Sequence, residues 1–181
     1  DKEYWKYVIS IARNTTLNRA LRTLTIMGRS KGELQEVAQL FYPMMQVADI
    51  FWLKADICQL GLDQRRANIL AREIGPKIGL WKPVIVSHHM LMGLEGLKKP
   101  EGFDENEEID LAISSKMSKS KPETSIFIHD DEETIRKKIR RAYCPEKEVK
   151  NNPILDYCKH IIFRKFESFL VERKYLSLIH I

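Results

Sequence analysis

With 181 residues, 44% of them hydrophobic and 30% charged, the chain has ordinary globular composition. That excludes disorder and low complexity as its main state and allows one buried domain, or one domain and part of a second. No run approaches the roughly 18 apolar residues of a membrane span, and the N-terminus lacks the basic, apolar and small-residue order of a signal peptide. The net charge of +5 is unevenly placed: residues 1–115 carry 15 basic and 15 acidic side chains, residues 116–181 carry 15 and 10. A basic last third suits a polyanionic partner, nucleic acid first, although lysines that merely solubilise a surface give the same pattern. The sequence opens without Met inside an amphipathic pattern and reads as a piece of something longer. Cys58, Cys144 and Cys158 have neither disulfide-framework nor zinc-ligand spacing, which suggests a reducing compartment. His88-His89 reads as structural, and no metal site is expected.

In chain order, apolar residues three and four apart predict a helical run over 3–27, ended by Gly28-Arg29-Ser30. A second helical pattern runs from about Gly32 to Ile50, with Pro43 either kinking it or starting a new helix. Asp56–Leu60 reads as a short buried parallel strand. Asp63 suits the N-cap of a helix through Arg72, and Trp81–Ser87 reads as a second buried strand. Strand, helix and strand within about 35 residues make a βαβ unit, hence an α/β domain with a parallel sheet. Residues 93–115 are rich in Gly, Pro and acids and read as a mobile surface excursion. Thr124–Ile128 is a short apolar stretch, and Asp130 with Glu133 resembles a capping box. The helix it opens has Ile135, Ile139 and Ala142 on one face and Arg136, Lys137, Lys138, Arg140 and Arg141 elsewhere. Asn152-Pro153 opens another short helix.

Three constellations carry chemistry. Lys116-Met117-Ser118-Lys119-Ser120 is a pentapeptide expected by chance in such a chain on the order of 10⁻⁴ of the time. Two ammonium groups and two hydroxyls on a loop suit a clamp on a polyphosphate; the bland alternative is a solvated basic loop. Tyr42, Gln46 and Asp49 fall at i, i+4 and i+7 in an otherwise apolar segment, on one helical face. Polar groups on such a face need a partner, unless the face is simply exposed or bonded to neighbouring backbone. Gly61-Leu62-Asp63-Gln64 follows a strand, where Gly allows close approach of a nucleotide and an acid can bind ribose hydroxyls. A plain strand-to-helix turn reads equally well there.

Residues 116–120 resemble the Lys-Met-Ser-Lys-Ser signature loop of the class I aminoacyl-tRNA synthetases. The resemblance implies that Lys116 and Lys119 stabilise charge as pyrophosphate departs, that Ser118 and Ser120 donate hydroxyls, and that Met117 lies near adenine. The segment Tyr42-Pro43-Met44-Met45-Gln46-Val47-Ala48-Asp49 closely resembles the Tyr-Pro-x-x-Gln-x-x-Asp segment of archaeal and eukaryotic tyrosyl-tRNA synthetases. It implies that Asp49 accepts from the substrate phenol while Tyr42 and Gln46 hold its α-amino group. An Asp so placed is left unpaired by phenylalanine and rejects it; tyrosyl enzymes are the standard illustration. In the same family's Gly-x-Asp-Gln turn, Gly61 and Asp63 would contact the adenylate ribose and Gln64 the tyrosine amino group. Asn68 stands where a His is common.

The implied architecture is α/β: the second half of a Rossmann-type parallel-sheet catalytic domain over residues 1–121, ending in the signature loop. The start of an α-helical anticodon-binding domain follows over 122–175. Residues 176–181 resemble a translated sequencing adapter and read as a non-native tail. The implied activity is that of a tyrosine–tRNA ligase acting on L-tyrosine, ATP with Mg²⁺ as a substrate complex, and tRNA(Tyr). No tightly bound cofactor and no membrane are expected; a cytoplasmic homodimer is. The family's His-Ile-Gly-His-like tetrapeptide is absent from these residues, so the 181-residue piece by itself is expected to be inactive. Two alternatives stay open: a tryptophanyl-tRNA synthetase, and a non-catalytic RNA-binding protein derived from a synthetase.

Overall fold

Asp1 accepts a hydrogen bond from the Glu3 N–H at 2.8 Å and so caps helix α1 (Lys2–Arg13). A computed structural model describes residues 1–24, 36–98, 106–173 and 176–180, with side chains as far as residue 170. As far as Leu24, the helical run expected over 3–27 is two helices, because Asn14-Thr15-Thr16 interrupts it. Asn14 Nδ2 and Thr15 Oγ1 each donate to carbonyls of the last turn of α1, at 2.8 Å. Thr16 then caps helix α2 (Leu17–Thr23), accepting from the Arg19 N–H. The predicted stop at Gly28–Ser30 and start at Gly32 lie outside the described residues.

Of the two readings of Pro43, the new helix is the one found. A 3-10 turn over Val37–Leu40 leads into α3 (Phe41–Trp52), with Pro43 third in line. A missing N–H is harmless there, because first-turn amides have no intrahelical acceptor. The helix ends where Lys54 turns to φ +54°. Strand β1 (Ile57–Gly61) follows, then a 3-10 turn over Leu62–Gln64, helix α4 (Arg65–Ile74) and strand β2 (Val84–His88). The predicted Asp63 cap is therefore corrected: Asp63 lies inside the 3-10 turn and α4 starts two residues later.

The strands pair in parallel with Ile57 opposite Val84 and Gly61 opposite His88, the expected βαβ unit. They are not the buried strands that their apolar residues suggest. Ile57 is 67% exposed, Val84 52% and Val86 44%, because α4 packs on the sheet while these residues alternate to the other face. The core lies instead among the helices: Val8 and Ile11 of α1, Val47, Ala48 and Phe51 of α3, and Ala67, Leu70 and Ile74 of α4 are almost completely buried. Phe51 meets Trp81 edge-on at 5.3 Å.

Within the stretch 93–115, residues Glu107–Ser114 form helix α5. Asp110, Ile113 and Ser114 on it are buried, and it packs on the 62–64 turn.

The chain divides into two compact units, Asp1–Met90 with Lys99–Ser114 and Leu91–Lys98 with Ser115–Ile181. The second holds a 3-10 turn over Pro122–Thr124, helices α6 (Glu132–Arg141) and α7 (Pro153–His160), and strands β3 (Leu170–Arg173) and β4 (Leu176–His180). The β3 and β4 backbones pair antiparallel, so the proposed tail is placed as a strand. Asn152 caps α7 as expected, accepting from the N–H groups of Ile154 and Leu155. The cap of α6 is Asp131, one residue later than predicted. This frees Asp130 for another role.

Lys138, read as lying away from the apolar face of this helix, is buried. Its ammonium donates to Asp130 Oδ2 at 2.7 Å and to the Ser125 carbonyl at 2.8 Å, and lies 4.9 Å from the Phe127 ring centre. The Lys138 ammonium, and after it the Phe127 N–H, hold the Asp130 carboxyl below the usual carboxylate range. A carboxyl depressed on folding stabilises fully above its unfolded value, about pH 4, and loses that contribution as pH falls through the lower folded value. Thermal melts from pH 7 to pH 2 should therefore show Asp130→Asn less stable than the natural chain at neutral pH. The gap should close in acid; a gap that persists undiminished at pH 2 contradicts this account.

Candidate functional site

In the first unit, Val47, Ala48 and Phe51 turn one side of α3 into the core, which leaves Gln46 and Asp49 on the other. Gln46 Nε2 donates to Gln64 Oε1 at 3.0 Å. Two residues singled out from separate motifs, 18 positions apart, thus meet in space. The 62–64 turn makes this possible by carrying Gln64 from the end of β1 towards α3. Tyr42, one turn before Gln46, is half-exposed.

Gly61 ends β1 at a close approach: an added Cβ would run into the Met90 sulfur and lie 2.6 Å from Asp63 Oδ1, so both side-chain ends would have to shift. Asn68 is fully buried on α4. Its Oδ1 accepts from the Cys58 thiol at 3.6 Å, and its Nδ2 has no partner among the described residues. Burial pushes the Cys58 thiol up from its ordinary value.

Asp49 has a partner that sequence reasoning missed. The Tyr4 hydroxyl donates to Asp49 Oδ1 at 2.7 Å and lies 3.2 Å from the Met45 carbonyl. Burial, then the hydrogen bond to Asp49, then its charge push the Tyr4 phenol up to about 12. The available signal was that Tyr4, Val8 and Ile11 share the inward stripe of α1. Nothing in the spacing linked it to a carboxylate 45 residues on.

In the second unit, the signature-like pentapeptide is held at its start. Lys116 bridges Met92 as an isolated antiparallel pair, and the Met117 N–H donates to the Leu91 carbonyl at 3.0 Å. Ser125, 3% exposed, grips the middle: its Oγ accepts from the Ser118 N–H at 3.1 Å and donates to the Ser118 carbonyl at 3.0 Å. Ser118 Oγ accepts from the Ser120 N–H at 3.3 Å, which tightens the turn. Lys119 and Ser120 are exposed, and Lys116, Met117 and Ser118 are partly buried. Lys119 makes no ion pair among the described residues, whereas Lys121 is held by Glu95 at 3.1 Å. Burial alone would raise the Glu95 carboxyl, but its hydrogen bonds to Lys98 and Lys121 bring it below its ordinary value.

The backbone under this loop has its own requirement. The Leu94 N–H donates to the Thr124 carbonyl, and the Leu94 carbonyl accepts from the Tyr143 N–H, both at 2.8 Å. Gly96, at φ +82°, lets the chain pass Tyr143; an added Cβ would lie 2.6 Å from its Cδ1.

Residues 1–176 match the family described as tRNA synthetases class I (W and Y). The chain belongs to that family and has its catalytic-domain fold, mixed helix with a small parallel sheet. The tyrosine–tRNA ligase of Pyrococcus furiosus is 46% identical over 172 residues, covering 90% of this chain and 46% of that one. The cytoplasmic tyrosine–tRNA ligase 1 of Arabidopsis thaliana is 49% identical over 172 residues, 94% of this chain and 40% of the relative. A crystal structure of the tyrosyl-tRNA synthetase of Pyrococcus horikoshii complexed with L-tyrosine superposes with a TM-score of 0.84 at 43% identity. That likeness covers all of this chain and 52% of the other. The chain thus spans about half the length of the relatives it matches.

Because Ser125 makes both hydrogen bonds to the Ser118 peptide, Ser125→Ala should loosen the loop without unfolding the unit. Two net hydrogen bonds correspond to a rise on the order of tenfold in amide hydrogen exchange at Ser118. Exchange at Ser118 that stays at its natural rate would show that the loop is held by other contacts.

Proposed function

We propose that the whole protein is a tyrosine–tRNA ligase, and that this chain carries its amino-acid-reading helix and its phosphate-gripping loop. The observation that carries the reading is the convergence of Gln46, Gln64 and Asp49: two amides 3.0 Å apart, with a carboxylate three residues along the same helix. The amides, with Tyr42, suit the ammonium of an amino acid. Asp49 suits the phenol at its far end, and Gly61 and Asp63 suit the ribose of the adenylate. Family membership and relatives named as tyrosine–tRNA ligases support the same assignment.

The chemistry asks little of acid–base groups. The tyrosine carboxylate, ionised at pH 7, attacks the α-phosphorus of ATP held with Mg²⁺, and pyrophosphate leaves with the bridging electrons. The tyrosyl group then passes to the terminal ribose of tRNA(Tyr). What the protein supplies is position and positive charge. Lys116 and Lys119 take the charge that develops on the pyrophosphate, the hydroxyls of Ser118 and Ser120 bond the phosphates, and Met117 borders adenine. No resident cofactor enters this scheme.

Residues 1–121 are read as the second half of a Rossmann-type domain, supported by the parallel β1–β2 pair and its exposed Ile57, Val84 and Val86. Further strands and another layer suit that bare face. Residues 122–175 are read as the start of an anticodon-binding domain, with Arg136, Lys137, Arg140 and Arg141 exposed on α6 towards polyanion. No helix among the described residues is long and apolar enough to cross a membrane. The cytoplasmic naming of the Arabidopsis relative and a homodimeric assembly complete the proposal.

In the whole protein, Asp49→Ala should lower tyrosine-over-phenylalanine selectivity in ATP–pyrophosphate exchange by about 10²-fold, the loss of a hydrogen bond to a charged acceptor. Unchanged selectivity, or exchange driven by tryptophan in place of tyrosine, would overturn the assignment. Lys119→Ala should slow adenylate formation by about 10²-fold with tyrosine affinity little changed, as expected for a group acting on charge in the transition state. Stopped-flow adenylation separates the two quantities, and an unaltered rate would remove Lys119 from the mechanism.

A further inference from the structure

We propose that Tyr4 is a positioning and specificity-determining residue of the tyrosine site. Its hydroxyl holds one oxygen of Asp49 so that the other is presented to the incoming phenol. The inference rests on the reading of Asp49 as the phenol acceptor.

The geometry is specific. Tyr4 reaches across from α1 to α3 and sets its hydroxyl 2.7 Å from Asp49 Oδ1 and 3.2 Å from the Met45 carbonyl, one turn earlier on the same helix. A phenol has one proton to donate, and the charged carboxylate at the shorter distance takes it. The ring cannot drift, because it stands edge-on to Trp52 at 5.8 Å and to Trp5 at 6.4 Å. With its phenol pushed up to about 12, Tyr4 remains a donor throughout the physiological pH range.

Asp49 itself is exposed, so an unanchored carboxylate would turn freely about its terminal torsion and bond water with either oxygen. A donor fixed on Oδ1 removes that freedom and leaves Oδ2 at one place, with lone pairs open. Discrimination by a hydroxyl requires this, since a recognition group loose by an ångström also accommodates the analogue that lacks the hydroxyl. Tyr4 would thereby act on substrate selection through Asp49 without itself touching the reacting atoms.

The whole protein carrying Tyr4→Phe tests this, because phenylalanine keeps the ring packing and removes only the donor. In ATP–pyrophosphate exchange the tyrosine KM should rise on the order of tenfold, as for loss of a hydrogen bond to a charged group. The kcat should stay within about twofold, since the lost interaction acts on binding. Exchange with phenylalanine should not change, so selectivity falls by the same factor. Combining Tyr4→Phe with Asp49→Ala should add nothing to Asp49→Ala alone, because Tyr4 works through that carboxylate. If Asp49→Ala loses selectivity while Tyr4→Phe keeps it, or if the two effects multiply, the role of Tyr4 is overturned and the reading of Asp49 stands. If Asp49→Ala itself keeps selectivity, both fall. A second measurement needs no activity. In the whole protein labelled with ¹³C at the tyrosine ζ carbons, the Tyr4 resonance, assigned by its loss in Tyr4→Phe, should titrate near 12. Asp49→Asn should move it towards the ordinary value of about 10, and a midpoint that does not move would disprove the pairing.

Discussion

The first unit depends on helix α3 being two-sided. Phe41–Trp52 is apolar enough to be buried all round, yet it carries a carboxylate and an amide. Burying that carboxylate without a partner would cost several kcal/mol or force it to take up a proton. The helix escapes this by giving Val47, Ala48 and Phe51 to the core shared with α1 and α4 and turning Gln46 and Asp49 away. Tyr4 and Gln64 then supply hydrogen bonds on the polar side. Since α1 and the 62–64 turn provide those partners, their positions are tied to the same helix. The packing of the unit and the arrangement of its candidate site follow from one division of faces.

The second unit holds a loop with two cations in a defined shape. Backbone pairing with residues 91–94 fixes the start, and the buried hydroxyl of Ser125 fixes the centre. Ser125 is in turn placed by Lys138, whose ammonium caps its carbonyl while paired with Asp130. A pair this buried, with side-chain exposures of 7% and 10%, gains little net stability because desolvation offsets the attraction. Its hydrogen bonds to backbone give it a geometric role that an apolar pair of similar volume would not have. Helix α6, the basic element expected to face polyanion, is thus connected through Lys138 to the loop expected to face a polyphosphate.

Much of this was legible in the residues. The βαβ unit, the i, i+4, i+7 face of α3, the pentapeptide loop and the Asn152 cap are local patterns, and local patterns report backbone geometry and which side chains share a face. The misreadings also have physical causes. Asn14-Thr15-Thr16 broke a helix that apolar periodicity alone would have continued, because short polar side chains satisfied the carbonyls of one helix and capped the next. Residues 93–115 looked like loop by composition, yet Asp110, Ile113 and Ser114 find buried places on α5. Lys138 looked like one more cation in a basic run, and only its inward direction reveals the Asp130 and Ser125 contacts.

By itself, the sequence determined the βαβ unit, which residues could share a helical face, and that two cations fall within one short loop at 116–120. Those properties are decided within a few residues by backbone dihedrals and side-chain spacing. Only the tertiary structure decided the partners: Gln46 with Gln64, Asp49 with Tyr4, Ser118 with Ser125. A hydrogen bond depends on tenths of an ångström between groups 7 to 45 residues apart, and such distances are set by how helices pack and turns redirect the chain. The strand faces make the same point, since apolar composition predicted two buried strands but packing left Ile57, Val84 and Val86 uncovered.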